Sequence, residues 1–478
     1  MRDFRHMSRF LSCVFISLCF GLIFGETSYG GENGSVAPVE EERVYTLTQV
    51  IERARYANRY LLQNALLVQS NRYSLQRAES EFDWKVRPVA NLGLSKSDNS
   101  TEQASGVSGK ISKKSSSGIE TALLPSVAYV NKEGTSSGVG VALSIPFFRG
   151  FGKEYNYDAI YSADFALEAS IRNVYLVEVE KILETVALAY EILRQQTLVD
   201  FYSKQNQRLQ RHVVTIQLQE KSGLGSQIDT YRAQIRQKDV QSQLADARQQ
   251  FQGSLDRLKV LLALAIEFPL KIEIPLSFVP TTIEEQEAVR IALENRLEIE
   301  QSVADLSEAR RKSRMAEKQI LPDLNFVASY RKNTFLQGLD ATESYYGDYW
   351  SIGFTSDTDL ARSSEKASFQ QSLLTVRRMK LQQENQRDII RTELKSRLDA
   401  LANRAQNIHL RKEQIVQATG KRRLAEIKFS HGMGSNFDFI ESETELLHAK
   451  VNLLSSKISY IVGQYRLRAT LGTLITNE

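Results

Sequence analysis

Two long proline-free stretches, a set of landmarks that occurs twice in the same order, and pairs of short alternating apolar segments predict one fold class. It is a mainly α protein with a β part able to enter a membrane, built as an internal two-fold repeat. Asn58-Arg59 and Arg77 match Asn295-Arg296 and Arg314 at an offset of 237, and each copy then reaches a proline, Pro88 or Pro322, followed by alternating apolar residues. Further on, Gly223-Leu224-Gly225-Ser226 with Asp229 matches Gly432-Met433-Gly434-Ser435 with Asp438 at an offset of 209, and Arg257-Leu258 matches Arg466-Leu467 at the same offset.

The N-terminal residues read as an export signal. Arg2, Arg5 and Arg9 precede an apolar run of roughly 16 residues, too short to span a bilayer, and Ser28 and Gly30 offer the small residues at which such signals are cleaved. Residues 1–30 are therefore expected to be removed, with Met7 an alternative start. Both cysteines, Cys13 and Cys19, lie inside this segment, so no disulfide or thiolate site is expected in the mature chain. Lipidation at Cys19 is disfavoured because Leu18 stands where a small residue belongs.

The 478 residues are 42% hydrophobic and 25% charged, which excludes disordered and collagen-like classes. The 61 basic and 57 acidic residues are mixed throughout, so the net charge of +4 marks no nucleic-acid partner.

A linker, residues 31–46, leads to a first repeat over residues 47–266. Its elements are a helix at residues 48–85, a strand pair, a long helix at residues 150–221 and a returning helix at residues 227–266. The long helix would measure about 105 Å and each shorter one about 60 Å, so two short helices stacked end to end match one long one. Tyr175, Val179, Ile182, Val186, Ala189 and Leu193 form one coiled-coil seam; Leu447, Val451, Leu454, Ile458, Ile461 and Tyr465 form its counterpart. Pro269, Pro275 and Pro280 punctuate a linker at residues 267–280, and Thr282 with Glu285 makes a capping-box pattern that opens the second repeat, residues 281–474, before a short tail at residues 475–478.

Ala90, Leu92 and Leu94 alternate with Asn91 and Gly93, and Val139, Val141, Leu143 and Ile145 alternate with smaller residues. Between them the Ser/Gly/Lys-rich segment reads as a loop or an additional hairpin. The second copy supplies Leu324, Phe326 and Ala328, then Trp350, Ile352 and Phe354, so two clear strands per repeat make four per chain. Four strands cannot close in lipid, where open edges leave backbone groups unpaired. Three copies would give twelve strands and a continuous helical wall. Tyr345, Tyr346, Tyr349 and Trp350, with Phe147 and Phe148, read either as an interfacial aromatic belt or as ordinary strand aromatics.

Several local stretches then point to a family. EEQEAVRIALENRLEIEQ opens the second copy, ILPDLNF leads into its first strand, SIPFFRGFG leads out of the first copy's second strand, and HGMGSNFDFIE turns between helices. Together and in this order the chain resembles the outer-membrane efflux proteins, the TolC-like family, over nearly all its mature length. The resemblance implies a homotrimeric, 12-stranded β-barrel in outer-membrane lipid continued by a long α-helical barrel across the periplasm. It also implies the channel of a tripartite efflux or type I secretion system, with a periplasmic adaptor and an inner-membrane transporter as partners.

Gly223, Gly225, Gly432 and Gly434 permit the backbone to reverse between helices, and the resemblance implies that these turns form the periplasmic tip. Asp229, Asp438 and Glu441 fall in the first turns of the returning helices, where a carboxylate is favoured. By resemblance Asp438 and Glu441 line the pore constriction; Asp229 reads as either gate residue or helix cap. Gly434 departs from relatives that carry an arginine there, and DTDLARSS replaces PFFRGFG in the second copy, so a different strand-to-helix corner is expected.

No enzyme is expected. His212, His409, His431 and His448 include no pair at i, i+4, and neither a phosphate loop nor a nucleophile elbow is present, so no catalytic residue, cofactor or metal is assigned. The competing reading is a secreted soluble coiled-coil filament protein, which would not need strand pairs at matching places in both copies.

Overall fold

In each repeat one very long helix runs beside two short ones stacked end to end. The computed structural model describes residues 43–97, 100–130, 134–280, 283–337 and 343–475; the expected signal and most of the expected N-terminal linker lie outside them. In the first repeat, β1 (Arg43–Thr46) leads into α1 (Leu47–Ala57) and α2 (Arg59–Glu79). Thr46 caps α1 through a capping box with Gln49. The expected single helix over residues 48–85 is broken at Asn58, whose backbone is extended (φ −63°, ψ 122°). Its side chain accepts from the amides of Tyr60 and Leu61 at 2.9 and 3.3 Å, and its Nδ2 donates to the Leu261 carbonyl at 2.9 Å. One asparagine thus caps α2 and ties it to the end of the returning helix.

After the strands come the one-turn α3 (Lys153–Asn156), the 64-residue α4 (Asp158–Lys221) and α5 (Gln227–Leu261). The second repeat has α6 (Glu285–Asn295), α7 (Leu297–Gln319), the 68-residue α8 (Ser363–Ser430) and α9 (Asn436–Thr470). Here the break falls at Arg296 (φ −77°, ψ 119°), held by Glu298 at 2.6 Å and Glu393 at 2.9 Å. The residue before α6 is Glu284, which makes no side-chain cap; the expected partner Thr282 lies outside the described residues. The linker between the repeats also holds a strand, β6 (Leu270–Glu273), which joins β1 in a two-stranded sheet and buries Leu270 and Ile272.

Each repeat has its own core. Val50, Ala54, Ala189, Ile192, Leu258 and Leu262 cluster in the first, and Ala288, Ala292, Ile390, Leu394, Tyr460 and Leu467 in the second. The two seams read from the sequence meet each other: Ile182, Val186 and Tyr190 of α4 pack against Leu454, Ile458 and Ile461 of α9. Burying each such aliphatic side chain contributes about 1.5–3 kcal/mol, which makes this seam the joint between repeats. Among the described residues no helix is long and apolar enough to cross a membrane.

The main sheet has six strands, not four. Its order is β2 (Lys85–Ser97), β3 (Ser100–Lys114), β4 (Glu120–Val130), β5 (Gly134–Pro146), β7 (Asn325–Gln337) and β8 (Glu343–Thr355), every pair antiparallel. The extra pair, β3 and β4, occupies the Ser/Gly/Lys-rich segment of the first repeat. Strands of 13 residues extend about 43 Å, and tilted by about 45° they span about 30 Å, the thickness of a hydrocarbon layer.

Candidate functional site at the paired helix tips

Both long helices end in the same turn. The amide of Leu224 donates to the Gln219 carbonyl and that of Met433 to the Lys428 carbonyl, at 2.8 and 2.9 Å, while Gly223 and Gly432 hold φ of +72° and +70°. Only a glycine adopts that left-handed conformation without steric cost. The second glycine of each motif serves differently from expectation: its φ is not positive. A Cβ at Gly225 would lie 3.2 Å from the Glu220 amide nitrogen, and one at Gly434 would lie 3.0 Å from that of Phe429. Close backbone approach, rather than backbone freedom, requires these two.

The returning helices begin with serine caps, but not identically. Ser226 accepts from the Ile228 amide at 3.3 Å. Ser435 accepts from Asp438 N at 3.0 Å, and the Asp438 carboxylate accepts from Ser435 N at 3.4 Å, a complete capping box. Asp438 is exposed as well, so its carboxylate both closes the first turn of α9 and faces solvent. Glu441, one turn on, pairs with Lys421 of α8 at 3.2 Å. Lys421 also binds Glu445 at 2.8 Å, and these two carboxylates, Glu445 first, raise its ammonium pKa. Asp229 caps nothing through its side chain; it sits 3.7 Å from Arg232 and accepts from Asn436 Nδ2 at 3.4 Å.

Asn436 is where the two tips join. Its Nδ2 also donates to the Asp229 carbonyl at 2.9 Å, which turns its Oδ1 toward His212 of α4 at 2.7 Å. The imidazole therefore donates through Nε2. It stacks on Phe439 with ring centroids 4.1 Å apart and lies 5.0 Å from Phe429. Burial among these rings holds its pKa below the usual histidine range, partly offset by the bond to Asn436 and by the charge of Glu443.

One turn farther along α9 from Phe439 is Glu443, whose side chain is 1% exposed. Arg208 of α4 reaches it at 3.1 Å and Arg422 of α8 at 3.3 Å. Two hydrogen-bonded guanidinium groups allow a carboxylate to remain at a position that would otherwise hold a leucine. His212, Asn436, Glu443 and the two arginines were not singled out in the sequence. The available signal was Glu443, a charge on the apolar stripe formed by Phe439, Leu446 and Leu447; the others are brought together only by the fold.

At the opposite end of the helices the exposed apolar residues of the sheet concentrate on one face, where Lys332 and Asp348 are the charged exceptions among the paired residues of β7 and β8. Val86, Leu92 and Leu94 of β2 fall on the same face as Val139 and Val141 of β5, Tyr330 of β7, and Trp350, Ile352 and Phe354 of β8, all exposed. The other face carries Arg87, Asn91, Ser136, Ser144, Ser329, Arg331 and Ser351. The aromatic group splits accordingly, with Tyr346 and Trp350 on the apolar face and Tyr349 on the polar one. Phe147 and Phe148 are half exposed at the first corner, where Phe147 approaches Phe354 at 6.0 Å.

Residues 288–473 match the family model described as outer membrane efflux protein. A search of curated proteins found no significant match. Among solved structures, the chain is similar to the CmeC outer membrane channel of Campylobacter jejuni, at 14% identity and TM-score 0.68, over 96% of this chain and 95% of that one. It is also similar to the outer membrane protein VceC of Vibrio cholerae, at 16% identity and TM-score 0.68, over 89% and 96%. The open state of the MtrE outer membrane channel of Neisseria gonorrhoeae matches at 15% identity and TM-score 0.67, over 90% and 89%. At such identities the likeness is one of fold, and it extends along both repeats. The outer membrane efflux protein model thus matches most of the second repeat, and the fold shared with these outer-membrane channels extends over nearly the whole chain.

Proposed function

We propose that this protein is the outer-membrane channel of an export system. Three copies close their sheets within the outer membrane, their helices continue as a wall through the periplasm, and solutes pass along the common lumen. The observation that carries this reading is the concentration of exposed apolar side chains on one face of the sheet, from Leu92 of β2 through Val141 of β5 to Trp350, Ile352 and Phe354 of β8, set at the end of helices about 100 Å long. A soluble filament has no use for such a face, because water would meet it without compensation.

The tips form the gate. Asp438, Glu441 and Asp229, repeated about a three-fold axis, ring the constriction with negative charge, so that small cations enter more readily than anions. Glu441 and Glu445 share Lys421, which leaves that group with a net negative charge. A periplasmic adaptor engages the outside of the tips, and an inner-membrane transporter delivers the cargo. Transport through the lumen, rather than chemistry on the cargo, is the role.

The test uses the full-length protein extracted from outer membranes and reconstituted into planar bilayers, beside the double variant Asp438→Asn, Glu441→Gln. Asn at 438 keeps an acceptor for the Ser435 amide, so the cap survives. A trimer whose cation preference is lost in the double variant supports the reading; a monomer that gives no conductance overturns it.

A further inference from the structure

The hairpin of β3 and β4 has no counterpart in the second repeat, and three features of it point the same way. Its pairing is continuous on both sides: Lys85↔Ser112 through Ser97↔Ser100 with β2, and Glu120↔Ser144 through Val130↔Gly134 with β5. Its faces agree with the rest of the sheet, since Ile111 and Val107 of β3 and Leu123 and Val127 of β4 lie in register with Val86, Ala90, Val141 and Ser137 on the apolar face. Ser112, Lys110, Ser108, Ala122 and Ser126 lie on the polar one.

The third feature is the turn between the strands, which is seated on the corner where β5 becomes α3. Gly152 N donates to the Ser117 carbonyl at 3.0 Å, Ser115 Oγ accepts from Ile119 N at 3.1 Å, and Lys114 pairs with Glu81 at 3.4 Å. Gly118 has φ +95°, and a Cβ there would lie 2.3 Å from the Gly150 carbonyl oxygen and 2.7 Å from Asn156 Nδ2. A surface appendage has no reason to be fitted so closely into the junction between sheet and helices.

We infer that this hairpin is part of the lipid-facing wall, so that each chain contributes six strands and the closed trimer has eighteen. This rests on the channel reading above. β2 and β8 are the edges of the sheet, and edges cannot stay unpaired in lipid, so β8 of one copy pairs with β2 of the next. Eighteen is an even number inside the range of membrane barrels, and a barrel's diameter grows about linearly with strand number. The lumen at the membrane is thus about one and a half times as wide as twelve strands would enclose, and the narrow point of the conduit lies at the tips.

Single cysteines in the full-length chain, with Cys13 and Cys19 replaced by serine, test this in outer-membrane vesicles. Val107→Cys and Val127→Cys probe the apolar face of the hairpin, Ser108→Cys and Ser126→Cys its polar face, and Val141→Cys and Ile352→Cys the apolar face of the other strands. Each is labelled with a fluorophore and exposed to brominated lipid, and separately challenged with a membrane-impermeant maleimide. Expected is quenching at 107 and 127, as at 141 and 352, with maleimide labelling at 108 and 126. Quenching at 141 and 352 but aqueous labelling at 107 and 127 overturns the eighteen-stranded wall and leaves the channel; no quenching at any of the four overturns both. An electron cryo-microscopy reconstruction of the trimer counts the strands directly, and twelve would overturn the inference.

Discussion

The two repeats share their helices and differ at their corners. In the first, the chain leaves β5 through a glycine-rich bend: Gly150 and Gly152 take φ of +92° and +94°, Asn156 Nδ2 donates to both their carbonyls at 2.7 and 3.0 Å, and the β3–β4 turn packs into the bend. In the second, the chain leaves β8 with no glycine at all. Arg362 itself adopts the left-handed conformation, φ +50° and ψ 32°, and its Nη1 donates to the Ile320 carbonyl at 2.9 Å. The first corner accommodates an inserted hairpin and needs residues without side chains; the second has nothing to accommodate and tolerates a strained arginine. Insertion of two strands, rather than divergence of the helices, is what separates the copies.

That contrast can be broken most forcefully at Gly118. Gly118→Val places a branched side chain at positive φ against a backbone carbonyl, and should cost at least about 2 kcal/mol, read as a lower melting temperature of the purified protein. Arg362→Gly at the other corner should change stability little, because relief of about 1 kcal/mol of left-handed strain offsets the lost hydrogen bond. Equal losses at the two corners would mean that the inserted turn is not what constrains the first.

The matching asparagines sharpen the comparison on a smaller scale. Asn58→Ala removes a cap and the buried bond to Leu261 O, with an expected cost of about 1–2 kcal/mol. Asn295 is exposed and its Nδ2 only donates back to the Ile291 carbonyl at 2.8 Å, so Asn295→Ala should fall within about 0.5 kcal/mol. Chemical denaturation of the two single variants separates them.

The smallest effect belongs to the tip and appears only in acid. His212 is neutral in the fold because burial lowers its pKa, whereas an unfolded histidine protonates near pH 6.5. Its contribution is therefore complete above that pH and declines as the pH falls through and below it, since the opened state then takes up the proton. Protection factors for amide exchange at residues 222–226 and 431–435, with the intrinsic pH dependence of exchange divided out, should fall between pH 7.5 and pH 5.5 in the parent protein. His212→Phe should flatten that dependence, and an unchanged dependence would exclude His212 as its source.

Much of this architecture is legible in the chain itself. The seams at Ile182, Val186, Leu454 and Ile458, the two Gly-x-Gly turns, and the strands holding Val139, Val141, Ile352 and Phe354 can each be found by periodicity, because helical and strand spacing imprint themselves on nearby residues. The hairpin of β3 and β4 is fainter for a physical reason. A strand with only one apolar face, as the channel reading requires, needs apolar residues only on that face, and here Ser105 and Gly109 dilute even that face, so Ser100–Lys114 has the composition of a loop.

By itself the sequence determined which segments are helix, where each long helix must reverse, and that some strands have one apolar face, since all three follow from backbone preferences and the spacing of side chains along one segment. The tertiary structure alone decided that the two seams pack on each other, that six strands rather than four share a sheet, and that His212, Asn436 and Asp229 meet although they are up to 224 positions apart. Contacts between distant segments depend on where whole elements are carried, and no local pattern records that.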